Sequence, residues 1–142
     1  MVDKYKFFEP LRVRFAETDL QGHVFFGEYL TYFDEALTQY QHAIGCTYSD
    51  LVAAGVDMFY IRSECDYKSR AFFEEVLNVH ARVGQIGNSS VTFEFAAFKA
   101  HNDELVATGK IIAVTIDPET KKPVRVPDEF RGAVARYENS KE

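Results

Sequence analysis

Apolar and polar positions alternate through Leu11, Arg12, Val13, Arg14 and Phe15, the period of a strand with one face buried. From Gly27 the period changes. Leu30, Phe33, Leu37, Tyr40 and Ile44 recur at three and four residues, which predicts a helix over 27–44, and Gly45 stands where a helix C-terminus favours glycine. A short second helix is predicted over 49–54, with Ser49 as its cap and Gly55 closing it. Strand character returns at 58–67, 76–86, 90–100 and 105–117. Gly87-Asn88 and His101-Asn102-Asp103-Glu104 supply turns, so these segments read as a meander of long antiparallel strands. A last helix is predicted over 126–137, with Asp128 as its cap. One long helix with about five strands is an α+β fold in which the sheet curls around the helix to bury both.

At 142 residues, one domain over 1–142 is expected. Hydrophobic residues make up 46%, with Phe 13 and Tyr 8, which marks a folded, strand-rich chain. The net charge of -6 argues against nucleic acid and against anionic membrane surfaces as partners. No segment approaches the ~20 apolar residues of a membrane span, and no apolar run follows a basic start, so the chain reads as soluble and unexported. Cys46 and Cys65 lack metal-ligand spacing, so no metal site is expected, and both read as reduced thiols of a cytoplasmic protein.

The candidate chemistry lies between the first strand and the long helix, in Ala16-Glu17-Thr18-Asp19-Leu20-Gln21-Gly22-His23-Val24. Asp19 is a carboxylate on a connection that needs only a turn. The helix start near Phe26 and Gly27 offers free backbone N–H groups and the positive end of a dipole, a cradle for an oxygen that gains negative charge. The plainer role of an Asp before a helix is an Asx turn or a cap, and that of a lone His a structural hydrogen bond. Gly22 suits a positive φ where the loop turns.

Arg14-Phe15-Ala16-Glu17-Thr18-Asp19-Leu20-Gln21-Gly22-His23-Val24, with Tyr29 and Tyr32-Phe33-Asp34-Glu35-Ala36, resembles the hotdog-fold acyl-CoA thioesterases. Within them it is most similar to the 4-hydroxybenzoyl-CoA thioesterase branch and to its small Tol-Pal-associated bacterial enzymes. Asp66-Tyr67-Lys68-Ser69-Arg70-Ala71 and Ile116-Asp117-Pro118 extend the resemblance, which runs from near Phe8 to near Phe130. It implies a hotdog fold, a long central helix wrapped by a curved antiparallel sheet of about five strands. It makes Asp19 the catalytic carboxylate and assigns oxyanion donation to the N–H of Phe26 or Gly27. Many relatives carry Asp in place of Glu17 and Asn or Tyr in place of Phe25 and Phe26. Some carry a basic residue where Ser89 and Ser90 stand.

The expected activity is hydrolysis of an acyl-CoA or aryl-CoA thioester to free acid and CoA, with CoA as part of the substrate and no separate cofactor. Asp19 acts as nucleophile or general base, and His23 positions water or the carboxylate or simply packs beside Gly22. Gly22, Tyr29, Lys68, Ser69, Arg70, Asn88, Ser89 and Ser90 are the candidate substrate contacts. Lys68 with Arg70, and Lys121 with Lys122, are candidates for holding phosphates. Phe25, Phe26, Phe72 and Phe73 are candidates for an acyl wall or a core. Glu28, Asp34 and Glu35 are rival helix carboxylates. A hotdog dehydratase or hydratase using His23 with Asp19, and a non-catalytic binder of CoA esters, are the alternative readings. Exposed sheet edges predict a homo-oligomer, a dimer at minimum, and the resemblance favours a tetramer.

Overall fold

The computed structural model describes residues 2–140; Met1, Lys141 and Glu142, which the single-domain expectation includes, lie outside the described residues. The strands are β1 (Phe7–Arg12), β2 (Asp57–Tyr67), β3 (Val76–Ile86), β4 (Ser90–Lys99) and β5 (Leu105–Ile116). The helices are α1 (Glu28–Ile44), α2 (Tyr48–Ala53) and α3 (Asp128–Glu138). All five strands form one antiparallel sheet in the order β1-β3-β4-β5-β2. The predicted meander therefore holds for β3, β4 and β5, whereas β2 crosses to the far edge and pairs with β5. That place lets Met58 and Cys65 pack against the core while Phe59, Tyr60, Ile61 and Tyr67 remain exposed on an edge.

The sheet presents Leu77, Val79, Ala81, Val91, Phe93, Phe95 and Ala107 to α1, whose buried face is Tyr29, Tyr32, Phe33, Ala36, Leu37, Tyr40 and Ile44. This is the long helix held by a curled sheet that the sequence predicts, with one adjustment. Leu30 lies on the half-buried flank, and Tyr29, Tyr32 and Ala36 take the centre. Gly45 ends α1 at φ 81, and its N–H donates to the Gln41 and His42 carbonyls.

Three boundaries move for physical reasons. The first strand occupies Phe7–Arg12, so it holds Leu11 and Arg12 of the expected segment but not Val13 to Phe15, because its ladder partner β3 begins at Val76, opposite Arg12. Pro10 is tolerated there because β1 is an edge strand. Phe15–Glu17 is instead a 3-10 turn that starts the site loop. In α2 the cap is Thr47 rather than Ser49, since its hydroxyl accepts the Asp50 N–H while the Asp50 carboxylate accepts the Thr47 N–H. In α3, Asp128 is the first helical residue and makes no cap; its carboxylate accepts from Arg125 at 2.5 Å, and Val126 is buried outside the helix.

On the outer face of β3, His80 is 7% exposed, between the rings of Tyr5, Phe8 and Phe98 at centroid distances of 5.5, 5.2 and 5.3 Å. Its Nδ1 has no hydrogen-bond partner among the described residues, and burial holds the imidazole below its ordinary value of 6.5. The unfolded chain therefore binds a proton below pH 6.5 that the folded chain refuses, so stability falls as pH drops through that range. Urea midpoints at pH 7.5 and pH 5 should differ less in His80→Phe than in the wild type; an identical difference would mean that His80 titrates normally.

Candidate active site

The site loop is a small closed structure. Thr18 bridges Val24, the Asp19 N–H donates to the His23 carbonyl at 3.0 Å, and the Gly22 N–H donates to the Asp19 carbonyl at 2.9 Å. Gly22 takes φ 84, which supplies the positive φ expected of it. Asp19 is half-buried, and its Oδ1 accepts the Gln21 N–H at 2.9 Å. The Asx turn is thus present, and it occupies only one carboxylate oxygen.

The His23 ring lies within 3.1 Å of the Val24 carbonyl through Nδ1. A carbonyl only accepts, so this contact places the proton on Nδ1 and leaves Nε2 of the neutral ring as an acceptor. No hydrogen bond joins the His23 ring to the Asp19 carboxylate among the described residues. A proton relay between the two, on which the dehydratase alternative relies, has no such contact to run through.

At the helix start, the Glu28 N–H donates to the Phe25 carbonyl and the Tyr29 N–H to the Phe26 carbonyl. The N–H groups of Phe26 and Gly27 have no backbone partner among the described residues. They are the orphan donors that a helix N-terminus leaves. Tyr67, at the end of β2, donates its hydroxyl to the Phe26 carbonyl at 3.1 Å and ties the edge strand to the helix start.

A cleft of about 380 Å³ opens here, lined by His23, Val24, Phe26, Tyr29, Tyr67, Lys68, Ser69 and Arg70. It brings together six of the residues singled out in the sequence. Tyr29, buried on the inner wall, packs edge-on against Tyr32 and Tyr67, and burial pushes its hydroxyl up to about 12. Lys68 and Arg70 are exposed at the rim. Ser69 is half-buried, and its hydroxyl donates to the Leu105 carbonyl at 2.8 Å, so it anchors the loop as well as lining the cleft. The Val24 N–H to Ala71 carbonyl bond, at 2.9 Å, fastens the site loop to the segment that follows β2.

Other candidates stand apart. Asn88, Ser89 and Ser90 lie at the opposite end of β3, roughly 30 Å along a strand of this length. The Asn88 carbonyl accepts from Val126 and Arg131, and the Ser89 carbonyl from Thr115. Phe72 sits under the Lys99 ammonium and Phe73 packs edge-on against Phe15, outside the cleft lining. Lys121 lies over the Phe59 ring on the β2 side. Of the helix carboxylates, Asp34 accepts the Tyr60 hydroxyl at 2.8 Å and Glu35 accepts from Gln39 at 3.2 Å. Asp34 lines a separate groove of about 520 Å³ between α1 and β2, with Thr31, Tyr60, Ile61 and Arg62. That groove is larger, but it contains none of the loop residues. Cys46 and Cys65 are free thiols. No helix among the described residues is long and apolar enough to cross a membrane.

Sequence reasoning gave no role to Tyr67 or to the Glu17–Tyr32 contact. Tyr67 carried a usable signal as the last aromatic before Lys68-Ser69-Arg70, whereas the Glu17 contact spans fifteen positions and leaves no periodic trace.

A family profile described as the thioesterase-like superfamily matches residues 13–134. The acyl-CoA thioesterase YbgC of Haemophilus influenzae is 26% identical over 125 residues, which are 87% of this chain and 90% of that one. A solved protein of Pseudomonas aeruginosa is 31% identical with a TM-score of 0.82, covering 94% of this chain and 92% of that one. The DHNA-CoA thioesterase of Staphylococcus aureus is 25% identical with a TM-score of 0.83, covering 92% of this chain and 89% of that one.

Proposed function

Because the chain belongs to the thioesterase-like superfamily and has the hotdog fold, we propose that it hydrolyses an acyl-CoA or aryl-CoA thioester to the free acid and CoA, with Asp19 carrying the chemistry. The observation that supports this most is the juxtaposition at the helix start. A half-buried carboxylate with one oxygen outside the Asx turn stands on the loop that leads into two orphan N–H donors, beside an aromatic cleft with a cationic rim.

In this reading the thioester carbonyl oxygen takes the Phe26 and Gly27 N–H groups, where the helix dipole favours growing negative charge. Asp19 attacks the carbonyl carbon, giving a mixed anhydride that water opens, or removes a proton from an attacking water. In either case the C–S bond breaks and CoA leaves as a thiolate that takes up a proton. Phe26, Tyr29 and Tyr67 wall the acyl or pantetheine arm, and Lys68 and Arg70 meet phosphate.

A second copy completes the arrangement. β2 is a sheet edge with an unpaired backbone row, exposed at Phe59, Tyr60 and Ile61. Antiparallel pairing of β2 with its copy sets the Asp57 end of one strand against the Tyr67 end of the other. Asp57 pairs with Ile116, and Ser90 with Val114, so the Asn88, Ser89 and Ser90 turn lies at that same end and approaches the neighbouring cleft. Light scattering should report a mass of two chains or four. Ile61→Asp should shift the smallest species to one chain; a monomeric wild type would remove this part of the proposal.

Thiol release from a panel of aliphatic and aryl acyl-CoA esters tests the proposal directly. Turnover ranks the acyl groups. Binding of the esters without release of CoA would transfer the reading to a non-catalytic binder.

A further inference from the structure

We infer that Glu17 is a positioning residue whose buried carboxylate, clasped by Arg14 and Tyr32, sets the Asp19 loop against the first turns of α1. The inference deepens the hydrolase reading, on which its kinetic part rests.

Glu17 is 5% exposed, and three hydrogen bonds and one ion-pair contact converge on its carboxylate. Oε1 accepts the Arg14 backbone N–H at 2.9 Å and the Tyr32 hydroxyl at 2.8 Å. Oε2 accepts Arg14 Nε at 2.7 Å, and Arg14 Nη2 lies 2.5 Å from the same oxygen as an ion pair. Burial pushes the carboxyl up, but the bonds from Arg14 and Tyr32 outweigh it and hold the group below its ordinary range, so it is ionised at neutral pH.

The main chain of the same residue serves the loop. The Glu17 carbonyl accepts the Phe25 N–H at 2.9 Å, immediately outside the Thr18–Val24 bridge that closes the loop around Asp19. Glu17 is therefore the base of the loop on its backbone side and the link to α1 on its side-chain side. Tyr32, its helix partner, packs edge-on against Tyr29 of the cleft wall at 5.7 Å.

Val13 and Val24 seat the flanks of the loop in the core, but within the turn itself apolar burial does little. Within the 3-10 turn Phe15–Glu17, Glu17 is the buried residue, whereas Phe15 is 74% exposed and Ala16 is also exposed. Glu17 is buried but the Arg14 side chain is 77% exposed, so the ion pair adds little net stability, while the directed bonds to the buried carboxylate specify one geometry.

The test uses Glu17→Gln and, should that variant fold poorly, Tyr32→Phe, which keeps the guanidinium contact. Gln retains the shape and the Oε1 acceptor but sets an NH2 group against the Arg14 donors. Amide hydrogen exchange by NMR reads the loop without any turnover. The Asp19 and Phe25 amides should exchange about tenfold faster or more in Glu17→Gln, with amides of β3 and β4 unchanged. With an acyl-CoA ester, kcat should fall about tenfold or more while KM stays within about twofold. Tyr32→Phe should show the same pattern at smaller size. Unchanged loop exchange, or equal acceleration at every amide, would overturn the inference. Absence of CoA release by the wild type would refute the hydrolase reading alone, since the exchange measurement still decides whether Glu17 holds the loop.

Discussion

Asp19→Asn is expected to lower kcat for thioester hydrolysis by about a hundredfold or more, a barrier increase near 3 kcal/mol, with KM nearly unchanged. The substitution separates charge from shape. Asn keeps an oxygen that can accept the Gln21 N–H, so the turn through Gly22 and the backbone bond from Asp19 to His23 persist. It removes the negative charge and the basicity that either route needs. Urea midpoints of the two proteins should coincide, because this carboxylate is half-buried and bonded only within its own turn. A variant that retains turnover within about threefold of the wild type would take the chemistry out of this loop, and Asp34 in the neighbouring groove would be the carboxylate to replace next. Single-turnover hydrolysis in heavy-oxygen water then tests for the nucleophilic route, since label in Asp19 itself requires a mixed anhydride opened by water at the Asp19 carbonyl, whereas general-base attack labels only the product acid.

Phe33→Ala is expected to cost about 3–5 kcal/mol of folding stability, a large share of what a domain of this size has. Phe33 is fully buried on α1 and stacks on Phe95 of β4 at a centroid distance of 4.8 Å and an interplanar angle of 12°. Its ring also covers Gly109 of β5. A Cβ there would overlap the ring and come within 2.9 Å of the Glu64 carbonyl oxygen on β2, so the ring occupies room that only glycine leaves. The same glycine has no side chain to refill the space when the ring is removed. Urea unfolding followed by circular dichroism measures the loss; a value below about 1.5 kcal/mol would show that α1 slides to close the cavity. Such a slide would also carry Tyr29 and the Phe26–Gly27 donors away from the loop, so activity should fall with stability.

The extent to which the chain could be read in advance follows the range of the interactions involved. The span of α1, the turns at Gly45 and Gly55, and strands β2 to β5 were legible to within a residue or so. They rest on periods of 3.6 and 2 and on local turn chemistry. β1 shares Leu11 and Arg12 with the expected strand but starts earlier, because the alternation through Val13 and Phe15 looks like a strand although β3 begins opposite Arg12. The cap of α2 is ambiguous in the sequence because Thr47, Ser49 and Asp50 are all polar and only the backbone geometry selects Thr47, whereas in α3 Pro127 takes the cap position without a side-chain bond and Asp128 falls inside the first turn.

The candidate site divides in the same way. By itself the sequence determined that Asp19, Gly22 and the start of α1 form one connected segment, since a carboxylate, a positive-φ glycine and a helix N-terminus need only neighbouring residues. It also marked His23, Tyr29, Lys68, Ser69 and Arg70. Only the tertiary structure decided that these face a common cleft, that Tyr67 closes it, that Glu17 reaches Tyr32, and that Asn88, Ser89 and Ser90 lie at the other end of the sheet. Those facts depend on strand order and on which side of the sheet meets the helix. Strand order is set by pairing between segments far apart in the chain, which imposes no period on either one and so leaves nothing local to read.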